Sequence, residues 1–190
     1  MRYNQIRECD IANGEGIGTA LFVQGCHFKC KNCFNPETWD FNGGKEWTPE
    51  VEDKFIELAS RPYIKRISLL GGECLADENL DEILKLVNRI RLLLPKKTIW
   101  LYTGYTWDEC FITLKGFTDE RCLTDFEGIL LFNENNKKRR EIISQCDVLV
   151  DGKYVDSLRD ITAKWKGSTN QRVINVQESL KQNKVVLHCD

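Results

Sequence analysis

The chain has 190 residues, 42% of them hydrophobic, with 27 Lys+Arg against 29 Asp+Glu and a formal net charge of −2. That length suits one domain with a full core, and the near-neutral balance leaves no surplus cation for nucleic-acid phosphates. No apolar run reaches the roughly 20 residues of a membrane span, and the polar start MRYNQIRECD does not read as a signal peptide, so a cytoplasmic protein is expected.

Nothing repeats and no stretch is of low complexity. Short β-branched runs alternate with amphipathic helical patterns, which predicts an α/β protein with a parallel sheet of βαβ units. Thr19 to Gln24 reads as a buried strand running into Gly25 and a cysteine cluster. Thr48-Pro49 offers a capping hydroxyl before a first-turn proline, and the helix continues through Phe55, Ile56 and Leu58. Ile64 to Leu70 predicts a second strand, ended by Gly71-Gly72. Asp81 to Leu94 is the clearest helix, since Leu80, Ile83, Leu84, Val87 and Ile90 fall on one face and Pro95 ends it. Thr98 to Tyr102 predicts a third strand turning at Thr103-Gly104. Gly128 to Phe132 reads as a further strand, Lys137 to Ser144 as a helix, Asp147 to Val150 as a strand, and Val185 to Leu187 as a weak last one. The least periodic segment, 111–136, is the candidate insertion in a single domain over 1–190. Parallel strands would bring their C-terminal loops to one rim.

The outlying count is cysteine, nine in 190 residues. That is below the roughly 8–10% of a secreted disulfide scaffold, and the number is odd, so metal binding or inert buried thiols must account for it. Cys26, Cys30 and Cys33 stand at C-x3-C-x2-C directly after a strand, where a short loop can gather thiolates on one soft metal centre. Zinc completed by His27 or a distant cysteine is one reading, yet no second tight pair exists. An electron-carrying iron–sulfur protein needs four thiolates. Three without an obvious fourth suggest a [4Fe-4S] cluster with one iron open to substrate.

The segment from Gly25 to Pro36 resembles the three-cysteine loop of the radical S-adenosylmethionine (SAM) enzymes, and Gly71-Gly72-Glu73 resembles their methionine-holding segment. Asn35 to Trp39, Tyr102 to Tyr105, Asp147 to Lys153 and Gly167 to Arg172 narrow the resemblance to the activating proteins of anaerobic ribonucleoside-triphosphate reductase. The resemblance runs from about Arg2 to Val176 and implies a partial open (β/α) barrel of the radical SAM type. It implies Cys26, Cys30 and Cys33 as ligands of a [4Fe-4S] cluster whose open iron is chelated by SAM. Reduction of SAM would then release a 5′-deoxyadenosyl radical that takes a hydrogen atom from a glycine Cα of the large reductase.

A flavodoxin-like or ferredoxin-like donor would supply the electron. The resemblance also implies SAM contacts from Asn32, Cys33 and Phe34, from Gly71, Gly72 and Glu73, from Thr103 and Gly104, and from Asp151. Gly71-Gly72 and Thr103-Gly104 read equally as plain turns. Asn32 stands where many such enzymes carry an aromatic residue, and Cys74 where proline is common; Cys74 reads as an inert small hydrophobe. His27 reads as solvent-facing, Lys137 to Arg140 as a solvated face or docking patch, and the five tryptophans as core. The competing readings are a small radical SAM enzyme acting on a metabolite or another glycyl radical enzyme, and a non-catalytic zinc or iron–sulfur module.

Overall fold

The computed structural model describes residues 1–111 and 126–189. These residues build one seven-stranded sheet in the order β3-β1-β2-β4-β5-β6-β7. The strands are β1 (Arg2–Asp10), β2 (Gly18–Val23), β3 (Lys45–Glu46), β4 (Arg66–Gly71), β5 (Thr98–Tyr102), β6 (Val148–Asp151) and β7 (Arg172–Asn175). The four central strands, β2, β4, β5 and β6, are parallel. β1, β3 and β7 pair antiparallel, so the parallel sheet of βαβ units expected from the sequence forms the centre of a mixed one. The connection from β1 to β2 is only the loop 11–17, far too short for the crossover that parallel pairing requires.

The described α-helices are α1 (Pro49–Ser60), α2 (Leu80–Leu93), α3 (Trp107–Phe111), α4 (Phe126–Ser144) and α5 (Val176–Gln182). Thr48 caps α1, its hydroxyl accepting from the Val51 N–H at 3.4 Å, with Pro49 in the first turn. Ile67, Leu69, Ile99, Leu101 and Leu149 project to the helix side, where they meet Phe55, Ile83, Leu86, Ile90 and Ile142 in the main core. The alternate residues Ala20, Phe22, Leu70, Trp100, Val148 and Val150 turn to the other face. Burial on both faces is why the central strands read as continuous apolar runs.

The strand expected at Gly128–Phe132 lies instead within α4. A short apolar run does not distinguish strand from helix, and Leu130, Leu131 and Phe132 are exposed rather than sheet-buried. Val185–Leu187 forms no ladder of its own; Leu187 makes an isolated bridge to Ile174 beside β7. The larger part of the segment read as an insertion lies outside the described residues. Within the basic run, Arg139 is a buried residue and not part of a solvated face. Its Nε donates to the Leu75 carbonyl at 3.1 Å, Nη1 to Asn136 Oδ1 at 2.8 Å, and the guanidinium pairs with Asp77 and lies 4.6 Å over the Tyr105 ring.

The loop 11–17 folds under the non-helical face and is held there by a buried cation. Arg66 Nη2 donates to Asp10 Oδ1 at 2.7 Å and to the Asp10 carbonyl at 2.8 Å. A Cβ on Gly18 would stand 2.5 Å from the Arg66 Nε, so the glycine makes room for the guanidinium.

Candidate metal and cofactor site

The parallel strands deliver four loops to one rim, after Val23, Gly71, Tyr102 and Asp151. There they border a cavity of about 680 Å³, within the range of cofactor sites. Cys26, Cys30, Cys33 and Phe34 line one wall, with Gly71, Gly72, Glu73, Thr103 and Gly104 beside them.

Backbone bonds to the Asn-Pro-Glu-Thr-Trp segment hold the cysteine loop. The Gly25 N–H donates to the Thr38 carbonyl at 2.8 Å and the Cys26 N–H to the Trp39 carbonyl at 3.1 Å. The buried Gln24 amide donates to the carbonyls of Glu37 and Asp40 at 2.9 and 2.8 Å. Gly25 has φ +95, and Phe41 packs where its side chain would be. Lys29 and Asn32 adopt left-handed backbone, with φ 45 and 54, which curls the loop between the thiols.

Burial pushes the Cys26 thiol up to about 11, and the Phe28 and Lys29 N–H groups oppose that rise. Burial also raises the Cys30 thiol, with nearby Cys33 adding to it and the Tyr154 N–H and Lys153 acting against it. The Asn35 N–H donates to Cys33 Sγ at 3.4 Å. Soft donors with N–H partners are of the kind that iron–sulfur clusters take, and metal binding would displace the thiol protons. Among the described residues no three His, Cys, Asp or Glu side chains are already gathered around a single-ion position. The thiols form an open wall rather than a tetrahedral cage.

Glu73 ties three strand ends together. Its Oε1 accepts from the Leu75 N–H at 2.9 Å and from the Thr103 hydroxyl at 2.7 Å, and Oε2 accepts from the Gly104 N–H at 2.8 Å. Burial raises this carboxyl, and the Gly104, Thr103 and Leu75 donors counter it. The Gly72 N–H donates to the Val23 carbonyl at 3.0 Å and the Glu73 N–H to the Gly25 carbonyl at 2.7 Å, extending the ladder past the strand ends. A Cβ on Gly72 would stand 2.5 Å from the Gly25 carbonyl oxygen, so this ledge admits only glycine. At Gly104 a Cβ would meet the Phe28 ring at 2.4 Å.

Two of the expected contact residues do not line the cavity. Asn32 donates to Asp156 Oδ2 at 2.9 Å on the surface. Asp151 is buried, and its oxygens take Arg172 Nε at 3.0 Å, Arg172 Nη2 at 2.5 Å and the Trp107 N–H at 2.7 Å. Its carboxylate braces the rim from behind. His27 is exposed and pairs with Glu78 at 2.8 Å, and Cys74 is wholly buried in the helix-side core.

Other lining residues come from segments whose roles the sequence did not reveal. Lys153 lies 4.6 Å over the Phe28 ring, and Tyr154 meets Phe34 edge-on at 5.0 Å. Gln171 accepts from the Gly167 N–H at 2.8 Å and donates to the Gly152 carbonyl at 2.9 Å, joining the 167 turn to the 152 turn. The Asp-Gly-Lys and Gly-Ser-Thr-Asn-Gln-Arg runs signalled these segments without stating their partners.

A family model described as a 4Fe-4S single cluster domain matches residues 12–174. The anaerobic ribonucleoside-triphosphate reductase-activating protein of Escherichia coli (strain K12) is 38% identical over 175 residues, covering 91% of this chain and 97% of that protein. The chain belongs to the anaerobic ribonucleoside-triphosphate reductase-activating proteins. The protein of that name from Vibrio cholerae is 38% identical over 173 residues, covering 90% of this chain and 96% of its own. That of enterobacteria phage T4 is 35% identical over 174 residues, with coverage of 91% and 93%. The thiol wall falls inside the span matched by the 4Fe-4S single cluster domain model.

Proposed function

We propose that the protein is a radical SAM activase acting on a glycine of an anaerobic ribonucleoside-triphosphate reductase, with the sheet serving as a partial open (β/α) barrel. The observation that carries this reading is the convergence of Cys26, Cys30 and Cys33 with the Gly71-Gly72 ledge on one cavity. When bound, a [4Fe-4S] cluster and SAM supply a reductive cleavage that generates a 5′-deoxyadenosyl radical. The three thiols would hold the cluster, and their N–H partners would stabilise thiolate charge.

The ledge presents bare backbone on which the methionine end of SAM can lie closely. Glu73 keeps that ledge in register with Thr103 and Gly104, so the positioning groups stand on strand ends. Phe28, Phe34, Tyr154 and Lys153 would exclude water from the nucleoside side. A reactive carbon radical needs such enclosure. The electron would come from a flavodoxin-like or ferredoxin-like donor in the cytoplasm, and the chain would act as one domain with an insertion near 111–136. Among the described residues no helix is long and apolar enough to cross a membrane.

Anaerobic reconstitution with iron and sulfide tests the reading. A dithionite-reducible cluster, 5′-deoxyadenosine release from SAM, and a glycyl radical signal from added reductase are expected. Stoichiometric zinc with no SAM cleavage would overturn it. Cys26→Ala, Cys30→Ala and Cys33→Ala should each lose the cluster and its turnover; a variant with wild-type iron content removes that residue from the site.

A further inference from the structure

The cavity extends beyond the thiol wall and the glycine ledge to a second polar wall, at Arg7, Ala12 and Asn13. Arg7 is on β1 opposite Ala20, whereas the ledge begins at the Val23–Gly71 pair. Ala20 precedes Val23 by three positions, about 10 Å at the strand rise of about 3.3 Å per residue. Arg7 therefore belongs to the floor of the cavity and not to the rim that holds the thiols.

The guanidinium lies over the Phe22 ring, its Cζ 4.4 Å from the ring centroid, a cation–π contact. Among the described residues it makes no hydrogen bond; its one ionic neighbour is Asp10 Oδ2 at 3.8 Å. Asp10 is already committed, to Arg66 at 2.7 Å and to Asn13 at 2.9 and 2.7 Å. Arg7 is thus a cation lining the cavity, 43% exposed at its side chain, with no protein acceptor hydrogen-bonded to it among the described residues. By contrast Lys153, on the rim, supplies positive charge beside Cys30.

Resting on the activase reading, we propose that Arg7 is a specificity-determining residue that hydrogen-bonds a carbonyl or carboxylate oxygen of the protein substrate, holding the glycine-bearing segment in the cavity floor. A planar fork suits such oxygens, and the contact with Phe22 holds the side chain over the cavity floor. SAM carries a carboxylate as well, and the two sources are separable by kinetics.

The test uses reconstituted holoprotein with the purified reductase, reading glycyl radical formation by electron paramagnetic resonance. Reductase is titrated at saturating SAM, then SAM at saturating reductase, for wild type, Arg7→Ala and Arg7→Lys. Loss of a charge-assisted hydrogen bond should raise the KM for reductase about tenfold to a hundredfold in Arg7→Ala. The KM for SAM should rise far less, and Arg7→Lys, which keeps charge but not the fork, should recover only part of the loss. An unchanged reductase KM in both variants overturns the proposal, as does an equal rise in the SAM KM, which would assign the oxygen to SAM. A wild-type protein that forms no glycyl radical would instead bring down the activase reading itself.

Discussion

Glu73 carries more of the site than its place in a Gly-Gly-Glu run suggests. Three donors from two different loops end on one buried carboxylate. A neutral amide cannot replace it, because Glu73→Gln would turn an N–H₂ group toward either the Gly104 N–H or the Leu75 N–H. That leaves facing donors in a buried setting, a cost of about 1–3 kcal/mol. The urea midpoint of the apoprotein should fall accordingly with an unchanged slope. An unaltered midpoint would mean that Glu73 does not brace the rim. Asp151 shows the same logic inverted: its sequence neighbours point to the site, yet its oxygens face Arg172 and the Trp107 N–H. Which oxygen meets which donor depends on loops 21 to 44 residues apart, so the residue types alone left both roles open.

At the scale of elements, local periodicity was readable wherever burial is one-sided or complete. α2 and β5 agree with their patterns to within a residue or so, since Leu80, Ile83, Val87 and Ile90 share a face and Ile99 to Leu101 are buried. β1 escaped notice because Arg2, Asn4, Gln5, Arg7 and Glu8 mask its alternation; as a strand near the sheet edge it is only partly covered. The apolar run in α4 misled for the opposite reason, being apolar yet solvent-facing. The joint between β2 and β4 yields a sharper expectation. Gly72→Ala would press a Cβ against the Gly25 backbone, which cannot swing aside as a flexible side chain could. Overpacking of this kind costs about 1–3 kcal/mol, and here it displaces the loop that begins with Cys26. The variant should melt earlier and give at least tenfold less 5′-deoxyadenosine per cluster. Wild-type yield per cluster would show that the ledge tolerates a methyl group.

On the scale of the molecule, the described core helices pack on one face of the sheet, and the cavity lies at the other between the thiol rim and the Arg7 floor. A site built from four separate loops gains stability when a ligand joins them. SAM at a hundred times its dissociation constant should stabilise cluster-loaded protein by about 2.7 kcal/mol, or about 5–10 °C in Tm for a domain of this size. Cluster-free protein should show little of that gain, because the open iron would be missing. Equal shifts in both forms would show that SAM binds without the cluster. Scanning calorimetry under anaerobic conditions separates the two outcomes.

By itself the sequence determined the thiol spacing, the place of Gly71-Gly72 at a strand end, and the four central strand segments. These depend on residues within a few positions of one another and on the 2- and 3.6-residue periods of the backbone. Tertiary structure alone decided that the sheet has antiparallel edges, that Asn32 and Asp151 turn from the cavity, and that Arg139 is buried. It alone left Arg7 over Phe22 with no hydrogen-bonded protein acceptor among the described residues. Those outcomes follow from strand register and loop packing, which bring together side chains far apart in the chain.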